Sequence, residues 1–134
     1  MSESKTTCRI VGDRLSGTST SQWSIDAPTR GDLDRVLDQL DAETYTMITL
    51  HAGEGHHLAI GGGRGRYVVY VTFDNQRFWT LVRRSPASGT VLLNAGGQEG
   101  DFPAEHVVDW DQARAAAYEF LETGQLDPNQ RWRE

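Results

Sequence analysis

From Tyr45 to Asn94 the chain keeps returning to a period of two, and each return is cut by a short stretch of Gly, Asp, Asn or Ser-Pro. In "TYTMITLH" Thr46, Ile48 and Leu50 alternate with Met47 and Thr49, which puts successive side chains on opposite faces of a strand. "HLAI" repeats the alternation after the break "AGEG", and "YVVYVTF" is apolar on both faces, as a central strand would be. Asp74-Asn75 marks a turn into "RFWTLVR", and "SPASG" separates that run from "TVLLN". Five strands joined by such short turns predict an antiparallel meander. After "AGGQEGDFP", read as a Gly-rich loop closing on Pro103, the apolar pair Val107-Val108 is expected to add an edge strand.

Two helices flank this region. Thr29 followed by Asp32 gives an N-cap and an acidic first turn, and Leu33, Val36, Leu37 and Leu40 then recur at helical spacing. The second helix starts at Asp109, with Gln112 in the capping-box position, carries Ala113, Ala116, Ala117, Phe120 and Leu121 as its apolar stripe, and ends at Gly124. Residues 1–28 read as an irregular lead-in, Ser/Thr-rich from 13 onward, with a short strand near Thr7 to Val11. Trp132 is too large an apolar surface to leave in water, so the tail is expected to be clamped on the domain. The fold class is therefore α+β: an antiparallel meander sheet of about five to six strands with two helices packed on it, as a single domain over 1–134.

The run "GGGRGR" at 61–66 raises the question of a phosphate loop. Such a loop stands between a strand and a helix, so that backbone N–H groups and the helix N-terminus face the anion. Here a strand follows, no Lys-Ser or Lys-Thr comes after the last glycine, and Arg66 occupies the place of the third dinucleotide-binding glycine. Gly61 to Gly65 are therefore expected to form a hairpin turn, with an Arg-tipped binding loop as the alternative.

Among 134 residues the formal net charge is -6, which argues against a general nucleic-acid binder and fits a protein with a basic partner. Acids cluster at Asp32, Asp34, Asp38, Asp41 and Glu43, and again at Glu99, Asp101, Glu105, Asp109 and Asp111. Arg64, Arg66, Arg77, Arg83 and Arg84 lie between, so two faces of opposite sign are expected. No apolar run approaches the roughly 18 residues of a membrane span, and MSESKTT has no apolar core of a signal peptide, so a cytoplasmic protein is expected.

Catalytic and metal constellations are sparse. Cys8 is alone, without an activating base nearby in sequence. His51, Glu54, His56 and His57 could offer ligands to zinc, but their spacing suits polar turn residues better than a four-ligand site. No G-x-S-x-G elbow is present, and Asp109 and Asp111 read as charges at a helix start. Phe78 and Trp79, adjacent on a strand, must face opposite ways, so one should enter the core and the other needs a cover. The residues alone describe an acidic α+β domain that binds something.

The last third is more specific. Gly96-Gly97 after a strand, Phe102-Pro103, an Ala-rich helix ending in Phe120, Thr123-Gly124, and Pro128 followed by Trp132 occur in the order seen in the bacterial immunity protein 1 family, which this chain resembles over about residues 45 to 134. Upstream, "HLAIGGG", "YVVYVTF" and "FWTL" resemble that family's meander. The resemblance implies a small cytoplasmic protein with no catalysis and no cofactor, made beside a polymorphic toxin, often a deaminase, whose active-site region it binds and occludes. It implies neither nucleic acid nor membrane as a direct partner. The loop ends are the expected binding surface: Glu54, His56, Arg64, Arg66, Asp74, Glu99, Asp101 and Phe102 are residue types that interfaces use, on segments that tolerate variation. A small-molecule or peptide-binding module without catalysis is the alternative, and an enzyme has the least support.

Overall fold

The computed structural model describes residues 8–134. Seven strands form one antiparallel sheet: β1 (Arg9–Ser16), β2 (Ser19–Asp26), β3 (Met47–Gly53), β4 (His56–Gly63), β5 (Arg66–Thr72), β6 (Phe78–Leu81) and β9 (Trp132–Arg133), in the order β2-β1-β3-β4-β5-β6-β9. A separate two-stranded sheet consists of β7 (Thr90–Ala95) and β8 (Gln98–Pro103). Helices α1 (Arg30–Gln39) and α2 (Trp110–Thr123) lie on one face of the large sheet, so the α+β class and the meander from β3 to β6 stand as expected.

Alternation decides which side chains meet the helices. Ile10, Ile48, Leu50, Leu58, Ile60, Val69, Val71 and Leu81 leave the sheet on the helical side and are all buried. Leu33, Val36 and Leu37 of α1 and Ala113, Ala116, Ala117 and Phe120 of α2 close over them in one cluster. The alanine stripe lets α2 approach the sheet, and Phe120 fills the remaining depth with no exposure. α1 begins with the expected reciprocal cap: Thr29 Oγ1 accepts from the Asp32 amide and the Asp32 carboxylate accepts from the Thr29 amide. The two helices are tied by Arg114, whose guanidinium donates to both oxygens of Asp34 at 2.8 and 3.1 Å, while Tyr118 donates to the same carboxylate at 2.6 Å. Those hydrogen bonds, Arg114 first, hold the Asp34 carboxyl below its usual range.

Five expectations change. Residues 13–29 are not an irregular lead-in: β1 and β2 form an eight-pair ribbon, in which Trp23 lies over Gly12 and donates to the Asp13 carbonyl at 3.1 Å. β2 is an edge strand with only Trp23 and Ile25 partly covered, so its Ser/Thr-rich sequence has no apolar alternation to announce it. The proposed strand near Thr7 begins at Arg9, and Thr7 itself lies outside the described residues. Gly61 to Gly63 belong to β4, and the turn is Arg64-Gly65, with φ of 56° and 85° as a two-residue primed turn requires. "AGGQEGDFP" is not a loop but the second half of a hairpin turning at Gly96-Gly97, and with "TVLLN" it leaves the meander. Val107-Val108 adds only a single bridge, in which Val108 and Tyr67 exchange hydrogen bonds of 2.8 and 2.9 Å.

The tail is clamped as expected. Leu81 pairs with Trp132 and Thr80 with Arg133, and the Trp132 indole donates to the Asp127 carbonyl at 3.1 Å.

Candidate functional site

The β7–β8 hairpin lies on the face of the large sheet that the helices leave open, and two features seat it there. A Cβ on Gly61 would stand 2.5 Å from that of Ala95, so glycine is what lets β7 come this close to β4. At the turn, the Gly97 amide donates to Thr46 Oγ1 at 2.9 Å, and the Thr46 hydroxyl in turn donates to Asp13. Asp13 also accepts from the Thr46 and Met47 amides, at 2.7 and 3.1 Å, so one carboxylate joins β1, β3 and the hairpin tip.

Strand pairing then sorts the hairpin's residues. Val91 is opposite Phe102, Leu93 opposite Gly100 and Ala95 opposite Gln98, and this set faces the sheet. Phe102, Met47, Val68, Tyr70 and His106 line a small apolar cavity of about 310 Å³ beneath it. The outward set contains Leu92 opposite Asp101 and Asn94 opposite Glu99. Leu92 is 57% exposed, the most exposed large apolar side chain among the described residues. In "TVLLN" two leucines are neighbours on one strand, so one has to point away from the core; that is the sequence signal for Leu92, which is not among the expected surface residues.

Along β7 runs a groove in two adjoining parts that share Arg66 and Leu92. One part, about 570 Å³, is lined by Arg66, Arg83, Arg84, Thr90 and Asp109. The other, about 440 Å³, is lined by Asp41, Glu43, Arg64 and Glu99. Arg64 there is paired with Glu43 at 3.1 Å. The groove is therefore cationic at one end and mainly acidic at the other, with exposed Leu92 between.

Beneath the cationic end sits Gln112. It was expected to complete a capping box, but only half of that exists: Asp109 accepts from the Gln112 amide at 2.8 Å. The Gln112 side chain, almost wholly buried, turns inward instead. Its Oε1 accepts from the Arg84 amide at 3.0 Å, and its Nε2 donates to the Val82 carbonyl at 3.2 Å and to Gln130 Oε1 at 2.9 Å. A polar side chain this buried is more useful wiring the Val82–Arg84 segment than capping a helix already capped.

Only part of the expected loop-end surface comes together. Arg64, Arg66 and Glu99 line the groove, Asp101 adjoins it beside Leu92, and Phe102 lies on the hairpin's other side. Glu54, His56 and Asp74 are at the opposite end of the strands, about 20 Å away by strand rise, because successive turns of a meander alternate ends. His56 donates through Nε2 to the Gly124 carbonyl at 2.8 Å and stands edge-on to Phe120, which fixes the end of α2. Asp74 accepts from the Gln76 and Arg77 amides within its own turn. Of the arginines read as one face, Arg77 lies apart, paired with Glu134.

The rest of the open face carries a row of rings across four strands. His51 and His57 are 5.4 Å apart between centroids, His57 and Tyr70 5.7 Å, and Tyr70 and Phe78 5.5 Å. Neither Phe78, 41% exposed, nor Trp79, half-buried, enters the core in the way expected of one of them; Leu81 fills that place in β6. Burial, helped by the nearby Arg9 charge for His51 and the other histidines for His57, lowers both imidazoles from their ordinary value. Among the described residues no three His, Cys, Asp or Glu are placed to hold a metal ion. Burial pushes the Cys8 thiol up, away from the range of a reactive thiolate. No helix is long and apolar enough to cross a membrane among the described residues.

A search among curated proteins returned no significant match. The family model described as Immunity protein Imm1 matches residues 22–134, which takes in both helices, the whole meander, the β7–β8 hairpin and the clamped tail. The chain thus belongs to the Imm1 immunity protein family.

Proposed function

We propose that this chain protects a bacterial cytoplasm by binding a cognate toxin domain of deaminase type, acting by occlusion and not by catalysis. The exposed Leu92 on the outer face of the β7–β8 hairpin carries the reading. A large apolar side chain held in water by a hairpin seated on the sheet, with Asp101 directly across from it and Glu99 two pairs further on along the same face, has the form of an interface anchor with a charged rim. Arg64 and Arg66 extend the same surface across the groove, and Glu54, His56 and Asp74 fall outside it.

Electrostatics supports a basic, nucleic-acid-directed partner. An enzyme that deaminates bases in nucleic acid needs cationic surface for phosphate, and a chain of net charge -6 whose Glu99 and Asp101 form no ion pair among the described residues competes for that surface. Steering by opposite charge also raises the association rate, which matters when the target is lethal. A standard interface of about 1,600 Å² in total would cover the hairpin face and its rim.

The test is co-expression with the C-terminal domain of the protein encoded immediately upstream, followed by calorimetry at 50 and 250 mM salt. Rescue of growth and nanomolar affinity that weakens with salt are expected, with L92D and the pair E99K/D101K each weakening binding at least tenfold at an unchanged melting temperature. Absence of both rescue and binding refutes the reading.

A further inference from the structure

Seven of the twelve arginines form ion pairs among the described residues. Among the described residues only Arg14, Arg66, Arg83, Arg84 and Arg131 form no ion pair, although the chain holds 19 acids. Three of these five line one end of one groove. The backbone that carries Arg83 and Arg84 is fixed on every side: Val82 N–H donates to the Arg131 carbonyl at 2.9 Å and Arg83 N–H to the Glu105 carbonyl at 2.7 Å. The Arg83 carbonyl accepts from Arg131 Nη2 at 3.1 Å, and Gln112 holds the Val82 carbonyl and the Arg84 amide. The single carboxylate at this end, Asp109, is occupied with capping α2. Uncompensated cations on a rigid backbone are preorganised for an anionic group.

The wall of the groove is a strand edge. Among the described residues β7 pairs only with β8, and its other side looks onto the groove from Thr90 to Asn94. In a hairpin closed by a two-residue turn the pair flanking the turn exchanges hydrogen bonds, and the pairs alternate from there. Ala95–Gln98, Leu93–Gly100 and Val91–Phe102 are then the bonded pairs, which aims the N–H and C=O of Leu92 and Asn94 outward. None of those four groups has a backbone partner elsewhere among the described residues. An exposed edge with free main-chain groups, an apolar side chain at its middle and opposite charges at its two ends is a template for one more strand.

We infer that the toxin docks an extended segment along the free edge of β7, with carboxylates of that segment against Arg66, Arg83 and Arg84, an apolar side chain against Leu92 and a cation against Glu99. A polynucleotide fits less well, because it is negative along its whole length and the second half of the groove sets Asp41, Glu43 and Glu99 against Arg64 and the shared Arg66. The inference rests on the toxin-binding reading and gives it a mode: strand addition with a defined charge order, so a partner that is basic overall still presents acids at one end of this contact.

Amide hydrogen exchange on the full chain, free and with the upstream-encoded toxin domain, reads the mode directly. Leu92 and Asn94 amides exchange fast in the free chain and are expected to slow at least a hundredfold in the complex. R83E/R84E is expected to weaken the complex at least tenfold, with the melting temperature held. A complex that forms with no added protection at Leu92 and Asn94 overturns strand addition and leaves toxin binding intact, whereas no complex at all overturns both. A 20-nucleotide single-stranded DNA that binds the free chain and loses affinity in R83E/R84E would also overturn it, by giving the arginines to phosphate.

Discussion

Replacing Gln112 by Leu tests whether the cationic end of the groove is held from below. The substitution keeps approximate volume and adds apolar surface where the side chain is 2% exposed, so packing alone predicts little loss. What it removes is the acceptor for the Arg84 amide and the donors to the Val82 carbonyl and Gln130 Oε1. Arg84 is exposed and its amide can recruit water, but Val82 is buried, and Gln130 is partly covered. A buried polar group left without a partner costs about 1 to 3 kcal/mol, so with the apolar gain offset the net loss is about 2 to 3 kcal/mol. For a domain of this size that is a fall of roughly 8 to 12 °C in melting temperature. Scanning calorimetry measures it, and exchange at the 82–84 amides locates it. Gln112→Glu sharpens the test, since a carboxylate would face the Val82 carbonyl and Gln130 Oε1. Burial and those two acceptors raise the pKa of the new acid, so its penalty relative to wild type is small below the ordinary Glu value near 4.3 and grows as pH rises above it. A Q112L melting point within about 2 °C of wild type, or a Q112E penalty independent of pH, would refute the reasoning.

Two further outcomes follow from the seating of the hairpin and from the row of rings. Gly61→Ala puts a methyl where Ala95 already stands, so it should cost about 1 to 3 kcal/mol and expose amides of β7 and β8 while those of β3 to β5 stay protected; A95G in the same chain should restore both, and a G61A protein with a normal hairpin would show that the contact yields. The lowered His51 and His57 imidazoles mean that the unfolded chain binds protons first as pH falls below about 6.5, so their contribution to stability is present above that pH and is lost on going down through the folded values. Chemical denaturation from pH 7.5 to 5 should show this slope, and H51Q/H57Q should flatten it; an unchanged slope would place the titration elsewhere.

The parts of the fold that were legible in the sequence are those where one interaction dominates. Ile48, Leu50, Val69 and Val71 alternate because one face of each strand is buried under helices, and Thr29, Asp109 and Gly124 are cap residues acting locally. β2 was not legible because an edge strand with half-covered Trp23 and Ile25 gains its stability from main-chain pairing with β1, to which any sequence contributes. The turn in "GGGRGR" was misplaced for a related reason. Three glycines read as freedom of the chain, whereas Gly61 is there for what lies above it and Gly63 for the Asp41 backbone, which a Cβ would meet at 2.6 Å. Both are tertiary reasons.

The expected surface was divided for another reason. Its expected members share a residue type and a place at loop ends, and a meander puts alternate loop ends on opposite sides of the molecule, so its own topology separates Glu54 and Asp74 from Arg64 and Arg66. Gathering the rest depended on the hairpin leaving the meander and turning back over Gly61, and that departure rests on a contact between residues 61 and 95 that no local pattern encodes. Once the hairpin is placed, the pairing register determines that Leu92, Glu99 and Asp101 share a side and that the edge of β7 stays open. The proposed toxin-binding surface has a physical reason to lie on such an element. The core between the large sheet and the helices takes no residue from β7 or β8, so on this proposal residues of the hairpin's outer face can change to follow a toxin while Phe120, Leu33 and the strands beneath keep their packing.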